Sequence, residues 1–307
     1  QLQSSAASDV YKRQDQGCTS HDCVNTIRKV LNIRKVGHTG TLDPQVTGIL
    51  PIAIGNATRF IQYLPQEKCY LGEIKLGIRT TTDDIHGEII NRKNWPQIST
   101  KQLDNTLNLY RGDLKQVPPK VSSVHVNGER AYKKFLKNEE FELSPKDITI
   151  SELILKKWDK DNGILKLKIK CSSGTYIRSL ARDLGLTLNT VGCLYNLKRT
   201  SACGFNEENS NLVNLKDIPS NIDSFIMPTI TALQHLPSYC LKNKEEIIWW
   251  ETGRKIFLNS EQFIILKNIK DLSPIKVIDP KNNLMGIGII NNKEAIYLQP
   301  KLVLNAR

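Results

Sequence analysis

The hydrophobic positions of this chain change period several times, and each change marks an element. Val24, Ile27, Val30 and Leu31 recur at helical spacing up to Ile33, behind the capping run Thr19-Ser20-His21-Asp22, and predict a helix. Gly48 to Gly55 encloses an apolar run that reads as one buried strand, and Asn56-Ala57-Thr58 opens a short helix carrying Phe60, Ile61 and Leu64. Tyr70 to Leu76 alternates, with Tyr70, Ile74 and Leu76 on one face, and predicts a half-buried strand ended by Gly77. Ser99-Thr100-Lys101-Gln102 caps a helix carrying Leu103, Leu107 and Tyr110.

Gln116-Val117-Pro118-Pro119 cannot continue a helix, so an extended segment follows through Val126 to a hairpin turn at Asn127-Gly128. Arg130 to Glu140 reads as a short basic helix. Leu165 to Cys171 alternates strictly and turns Lys166, Lys168 and Lys170 outward, as on a strand whose lysines protect an edge. After Ser172-Ser173-Gly174-Thr175, the stripe Ile177, Leu180, Ala181 and Leu184 predicts a helix ended by Gly185. Arg178 in its first turn opposes the helix dipole, which asks for an acidic neighbour.

The composition changes near Phe225. Beyond it come a helix around Lys244 to Glu251 and short strands at 262–266, 275–278, 286–290 and 295–298, the spacing of a small β-barrel. The expected division is residues 15–225 and residues 226–307. Residues 4–14 back-translate to a sequence resembling a transposase sequencing adaptor, so residues 1–14 are expected to be foreign, with some native residues lost at the junction.

Charge narrows the partner. Lys and Arg number 43 against 31 Asp and Glu, a net +12 with pI near 9.3, which favours a polyanion and nucleic acid first. No apolar run approaches the roughly 18 residues of a membrane span. The seven cysteines form no Cys-x-x-Cys pair and suit reduced cytosolic thiols, and the five histidines stand at no ligand spacing with them, so no metal is expected. Arg28, Lys29, Arg34 and Lys35 suit both a helix C-terminus and a phosphate backbone. Asp83, Asp84 and His86 are expected in a solvated turn.

The stretch with the most chemistry is Gly37-His38-Thr39-Gly40-Thr41-Leu42-Asp43-Pro44. Two glycines, two threonines and a proline make a constrained loop around one carboxylate, Asp43, and hold it beside the apolar run. Together with the strand beginning at Tyr70, Gln116-Val117-Pro118-Pro119, the turn-helix Gly174-Thr175-Tyr176-Ile177-Arg178-Ser179-Leu180-Ala181-Arg182 and Leu194-Tyr195-Asn196-Leu197-Lys198-Arg199-Thr200, the loop closely resembles the TruB family of tRNA pseudouridine synthases. The likeness covers about residues 16–205. The C-terminal part resembles, more weakly, a PUA-type RNA-binding domain. The family's usual opening, a strand ending in Asp-Lys-Pro, is replaced by Gln14-Asp15-Gln16-Gly17.

The resemblance implies an α+β fold, a mixed and largely antiparallel sheet flanked by helices, followed by a small β-barrel-like domain. It implies isomerisation of the T-loop uridine of tRNA to pseudouridine, with Asp43 as the essential aspartate, which attacks or deprotonates the ribosyl uracil of a flipped base. By the same likeness Tyr70 stacks on the uracil, Arg178 pairs with Asp43, Tyr176 and Leu197 wall the pocket, and His38 enters the T-loop. No cofactor is implied. The expected partner is a tRNA T-stem-loop met by a cytoplasmic monomer, with no membrane and no metal. The other readings are a guide-RNA-dependent synthase and a non-catalytic tRNA-binding or folding module.

Overall fold

The computed structural model describes residues 17–208, 225–258, 272–291 and 296–306. The adaptor-like residues 1–14 and the strand expected at 262–266 lie outside them. Helix α1 (Ser20–Leu31) starts at a reciprocal capping box between Thr19 and Asp22 and ends at Asn32 in the left-handed region. It buries Cys23, Val24 and Ile27, whereas Val30 faces solvent.

The run from Gly48 to Gly55 is two strands rather than one. Strand β1 (Val36–His38) pairs antiparallel with β3 (Ile52–Ile54), while β2 (Thr47–Gly48) pairs in parallel with a distant strand. Between them Pro51 has no N–H for a ladder, and its carbonyl accepts from Thr39 N instead. Gly55–Tyr63 follows as a 3₁₀ helix, tighter than the helix expected there.

The main sheet is built on β4 (Glu67–Leu76). Two small hairpins follow it in sequence: β5 (Ile78–Thr80) with β6 (Ile89–Arg92), and, after helix α2 (Thr100–Asn108) and strand β7 (Gly112–Gln116), β8 (His125–Val126) with β9 (Glu129–Arg130). Asn127 and Gly128 both take positive φ, 51° and 84°, as a two-residue hairpin turn requires. Helix α3 (Ala131–Leu136) then leads to β10 (Lys146–Asp159), β11 (Ile164–Ser172), helix α4 (Ile177–Thr187), β12 (Gly192–Ala202) and β13 (Phe205–Asn206). The strand order is β13-β12-β4-β11-β10-β7, antiparallel throughout, with β2 added in parallel beside β12.

Strand β11 is central, not an edge. Its lysines face solvent because each meets a carboxylate across the ladder: Lys166 with Glu73 at 2.6 Å, Lys168 with Glu152 at 2.8 Å and Lys170 with Glu67 at 2.9 Å. The opposite face buries Leu165, Leu167, Ile169 and Cys171 in the core shared with Leu103 and Leu107 of α2 and Leu180 and Leu184 of α4.

Gly185 does not end α4, which continues to Thr187. It is the point where the helix touches β12, since a methyl group at Gly185 would lie 2.3 Å from the backbone nitrogen of Gly192. The backbones there are too close for any side chain.

The C-terminal sheet is a separate five-stranded, curled half-barrel of PUA-like form, in the order β14 (Ser238–Cys240), β16 (Pro274–Ile278), β17 (Leu284–Asn291), β18 (Tyr297–Val303) and β15 (Ile256–Phe257). Helix α5 (Thr229–Ala232) precedes it, and α6 (Lys244–Glu251) buries Trp250 in its core. Ahead of α5, Phe225 and Ile226 pack on the large core. The two sheets meet at the 3₁₀ helix: Phe60 clusters with Leu233, Ile287 and Leu302, and Arg59 donates to the Val303 carbonyl at 3.0 Å. Among the described residues no helix is long and apolar enough to cross a membrane.

The Gly185 contact yields a stability prediction. Gly185→Ala should lower the unfolding free energy by about 2–3 kcal/mol, as an overpacked backbone contact does, with the loss read from the denaturant midpoint. An unchanged midpoint would mean that α4 and β12 separate without strain.

Candidate active site

The Asp43 loop, residues 39–46, is fixed at both ends by sheet pairing and in the middle by side chains. The Ser20 hydroxyl both donates to the Leu42 carbonyl and accepts from Leu42 N at 2.9 Å, and Val46 N donates to the Asp43 carbonyl at 2.9 Å. Arg199 on β12 is fully buried and holds the loop from beneath, with Nε 2.7 Å from the Ile49 carbonyl and a terminal nitrogen 3.2 Å from the Gly40 carbonyl. Gly48 permits this approach, with φ at 116° and no room for a Cβ against the Arg199 backbone.

Asp43 stands at the rim of a cavity of about 610 Å³ lined by Tyr70, Tyr176, Arg178 and Leu197, so five of the six site residues expected from the sequence come together. Its side chain is 46 % exposed, that of Arg178 only 8 %. The Arg178 Nε stands 3.0 Å from Asp43 Oδ2, and its terminal nitrogen donates to the Thr82 carbonyl at 3.1 Å and lies 3.7 Å from Asp84 Oδ2. The acidic neighbours demanded by an arginine in the first turn of α4 are therefore Asp43 and Asp84.

The solvated turn expected at Asp83, Asp84 and His86 holds for His86, which is exposed in a turn, but not for Asp83. Asp83 is buried with φ at 60° and pairs with Arg182 at 2.9 Å, while Asp84 and His86 line the cavity. Burial raises the Asp83 carboxyl, and the Arg182 guanidinium pulls it back.

Tyr70 lies at the cavity floor on β4. Burial, opposed by Arg199, pushes its phenol up to about 12, so it is protonated at neutral pH and can donate a proton or a hydrogen bond. Tyr176, whose backbone N–H donates to Gln116 Oε1 at 2.8 Å, is also raised by burial. Leu197 supplies an apolar wall. His38 is the exception. It sits half-buried in β1 opposite Ile52, outside the cavity lining, with its ring pKa lowered by burial and by the nearby Arg199.

Three groups escaped the sequence reading: Asp84, Lys68 and Arg199. For Lys68 the signal was present, because it stands two residues before Tyr70 on an alternating strand and so shares its face. Arg199 stood in the Leu194 to Thr200 block of the resemblance without a role, because no local pattern marks an arginine for burial.

A carboxylate clamped by a guanidinium at the mouth of an open cavity, on a basic α+β scaffold, suits chemistry on a single base taken out of a nucleic-acid stack. Residues 28–177 match the TruB family pseudouridylate synthase (N terminal domain). The chain is 62% identical over 299 residues to a tRNA pseudouridine synthase B of Prochlorococcus marinus strain AS9601, with 96% of each chain covered. It is 46% identical over 300 residues to that of strain NATL1A, with 94% of this chain and 95% of the relative covered. The fold is shared with a chain of the crystal structure of a Cbf5-Nop10-Gar1 complex, at a TM-score of 0.73 and 22% identity over 99% of this chain and 85% of that one. The chain thus belongs to the TruB family of pseudouridylate synthases.

Two outcomes follow from this geometry. Arg178→Lys should reduce the single-turnover rate at saturating RNA by at least about tenfold while binding and melting temperature hold, because an ammonium cannot present the planar fork that spans Asp43 and the 82–84 loop. A wild-type rate would reduce Arg178 to a packing residue. The lowered His38 pKa means that above the unfolded value of 6.5 the ring is neutral in both states and contributes nothing. As pH falls through and below that value the unfolded chain takes up the proton first, so stability is lost. The gap in melting temperature between wild type and His38→Gln should therefore shift against the wild type between about pH 7 and pH 5.

Proposed function

We propose that this chain isomerises the T-loop uridine of tRNA to pseudouridine, in the cytoplasm and without a guide RNA, using Asp43. The reaction breaks the bond between ribose C1′ and uracil N1, forms one between C1′ and C5, and moves the C5 proton to N1. Atoms and electrons balance within the nucleoside, so the chemistry calls for no oxidant, reductant or group donor.

The observation that carries this reading is the Asp43–Arg178 contact at the open rim of a cavity floored by a tyrosine ring. A flipped uridine seated on Tyr70 brings its sugar toward the rim, where Asp43 either adds to the sugar or removes a proton from it. Arg178 aims the carboxylate. The Tyr70 phenol, protonated at neutral pH, offers the base both a stacking face and a proton. Tyr176 and Leu197 confine the base while it turns, and His38, beside the loop but outside the cavity, is suited to the RNA around the vacated stack.

The resemblance to the chain of the Cbf5-Nop10-Gar1 complex is one of fold at 22% identity, whereas the tRNA pseudouridine synthase B of strain AS9601 is matched over 96% of its length. This favours unguided action on tRNA. The clamped Asp43 favours an enzyme over a module that only binds or folds tRNA.

Purified protein mixed with an unmodified tRNA transcript should produce pseudouridine in the T-loop with no guide added. Asp43→Asn should bind the transcript as well as the wild type and lose turnover by a factor on the order of 10⁴. Product from the wild type only with added guide, or near-normal turnover by Asp43→Asn, would sink this reading.

A further inference from the structure

Lys68 lines the same cavity, on the face of β4 that carries Tyr70 and roughly 7 Å further along the strand. Its situation differs from that of Arg178, which also lines the cavity, and of Arg199, which is buried beneath the loop. Arg178 faces two carboxylates and Arg199 is occupied by backbone carbonyls. Among the described residues Lys68 has no ion pair, and its one hydrogen bond is a long one, 3.4 Å from Nζ to the Ser173 hydroxyl. Burial and the nearby Arg199 both lower its pKa, so the site disfavours the charge it holds. A partly desolvated ammonium without an anion is a site prepared for one.

The surroundings fit an anion that comes with the nucleoside. Ser173 and Gly174 are exposed at the turn before α4 and line the cavity, and the Ser173 hydroxyl has a proton to donate. On the other side the ammonium lies against the Asp43 loop, where a methyl group at Gly40 would stand 2.8 Å from Nζ. The glycine of the His-Thr-Gly-Thr run thus leaves the lane through which Lys68 reaches the cavity. A nucleotide with its base on Tyr70 and its sugar at Asp43 must run its backbone past one side of this pair, and a compact ammonium suits a phosphate oxygen.

We propose that Lys68 and Ser173 form a phosphate subsite that grips the backbone phosphate adjoining the target uridine and so sets the depth at which its sugar meets Asp43. This rests on the reading of the cavity as a uridine site. The subsite is empty of any protein carboxylate, so RNA supplies the counter-ion and relieves the charge repulsion with Arg199. Lys68 is then a substrate-binding residue rather than a structural lysine.

The test uses the full chain and a T-arm RNA hairpin, either all-phosphodiester or with one neutral methylphosphonate at the phosphate on the 5′ or the 3′ side of the target uridine. Wild-type conversion of the all-phosphodiester hairpin to pseudouridine is the control, and its failure counts against the proposed function, not against the subsite. One of the two methylphosphonates should weaken wild-type binding about tenfold, the size of one charged hydrogen bond. Lys68→Gln should lose the same factor on the all-phosphodiester hairpin and reduce the slope of log Kd against log salt by about 0.7. On the sensitive methylphosphonate hairpin Lys68→Gln should lose nothing more, while Lys68→Arg should stay close to wild type on the unmodified one. Two results overturn the subsite: wild-type binding indifferent to both methylphosphonates, which needs no variant to fold, or a Lys68→Gln loss that adds fully to that of the sensitive methylphosphonate.

Discussion

A guanidinium with no exposure to solvent, that of Arg199, lies beneath the Asp43 loop and ties together parts of the chain far apart in sequence. Among the described residues Arg199 bonds no carboxylate. It is satisfied by the carbonyls of Gly40 and Ile49 and by a hydrogen bond with the Tyr70 side chain. Burying a charge in this way is tolerable only when its donors meet acceptors in the planar geometry of the fork. Those acceptors belong to the loop that carries Asp43 and to the strand that carries the cavity floor. Arg199 therefore links the loop that carries the carboxylate to the strand that carries the tyrosine, and the parallel pairing of β2 with β12 holds its side chain in register.

The second fixed point is the start of α4. Arg178 enters the helix against its dipole, and two aspartates and the Thr82 carbonyl surround its head. One turn later Arg182 holds Asp83 and, at 3.0 Å, the Val117 carbonyl, so the loop between β5 and β6 and the segment after β7 are both tied to the same helix. Gly185, a turn beyond, lets that helix lie on β12. Asp43 thus stands between two rigid bodies, the Arg199 strand and the Arg178 helix, and remains half-exposed because both hold it from behind.

Charge is distributed with the same division of labour. The lysines of β11 are matched across the ladder by glutamates and are held in local pairs. In the cavity the matching is incomplete, since Lys68 has no anion of its own there. An active site that binds a polyanion has reason to leave a cation unmatched where the ligand brings the charge.

Helix starts, hairpin turns and the constrained Asp43 loop were legible in the sequence because each is written in neighbouring residues: the Thr19 and Ser99 caps, Asn127-Gly128, and the glycines, threonines and proline around Asp43. The alternation of β4 and β11 was legible for the same reason. Strands β10 and β12 were not, since register shifts near Ile150, Leu155, Leu194 and Arg199 break the two-residue period from which strands are read. The family resemblance supplied the pairing of Asp43 with Arg178, which no local pattern contains. Three things were decided by tertiary structure alone: that the lysines of β11 lie in mid-sheet, that Asp83 is buried against Arg182, and that Arg199 and Lys68 converge on the loop from beneath. Each depends on which strands become neighbours, and strand order is set by packing over the whole chain rather than by any stretch of it.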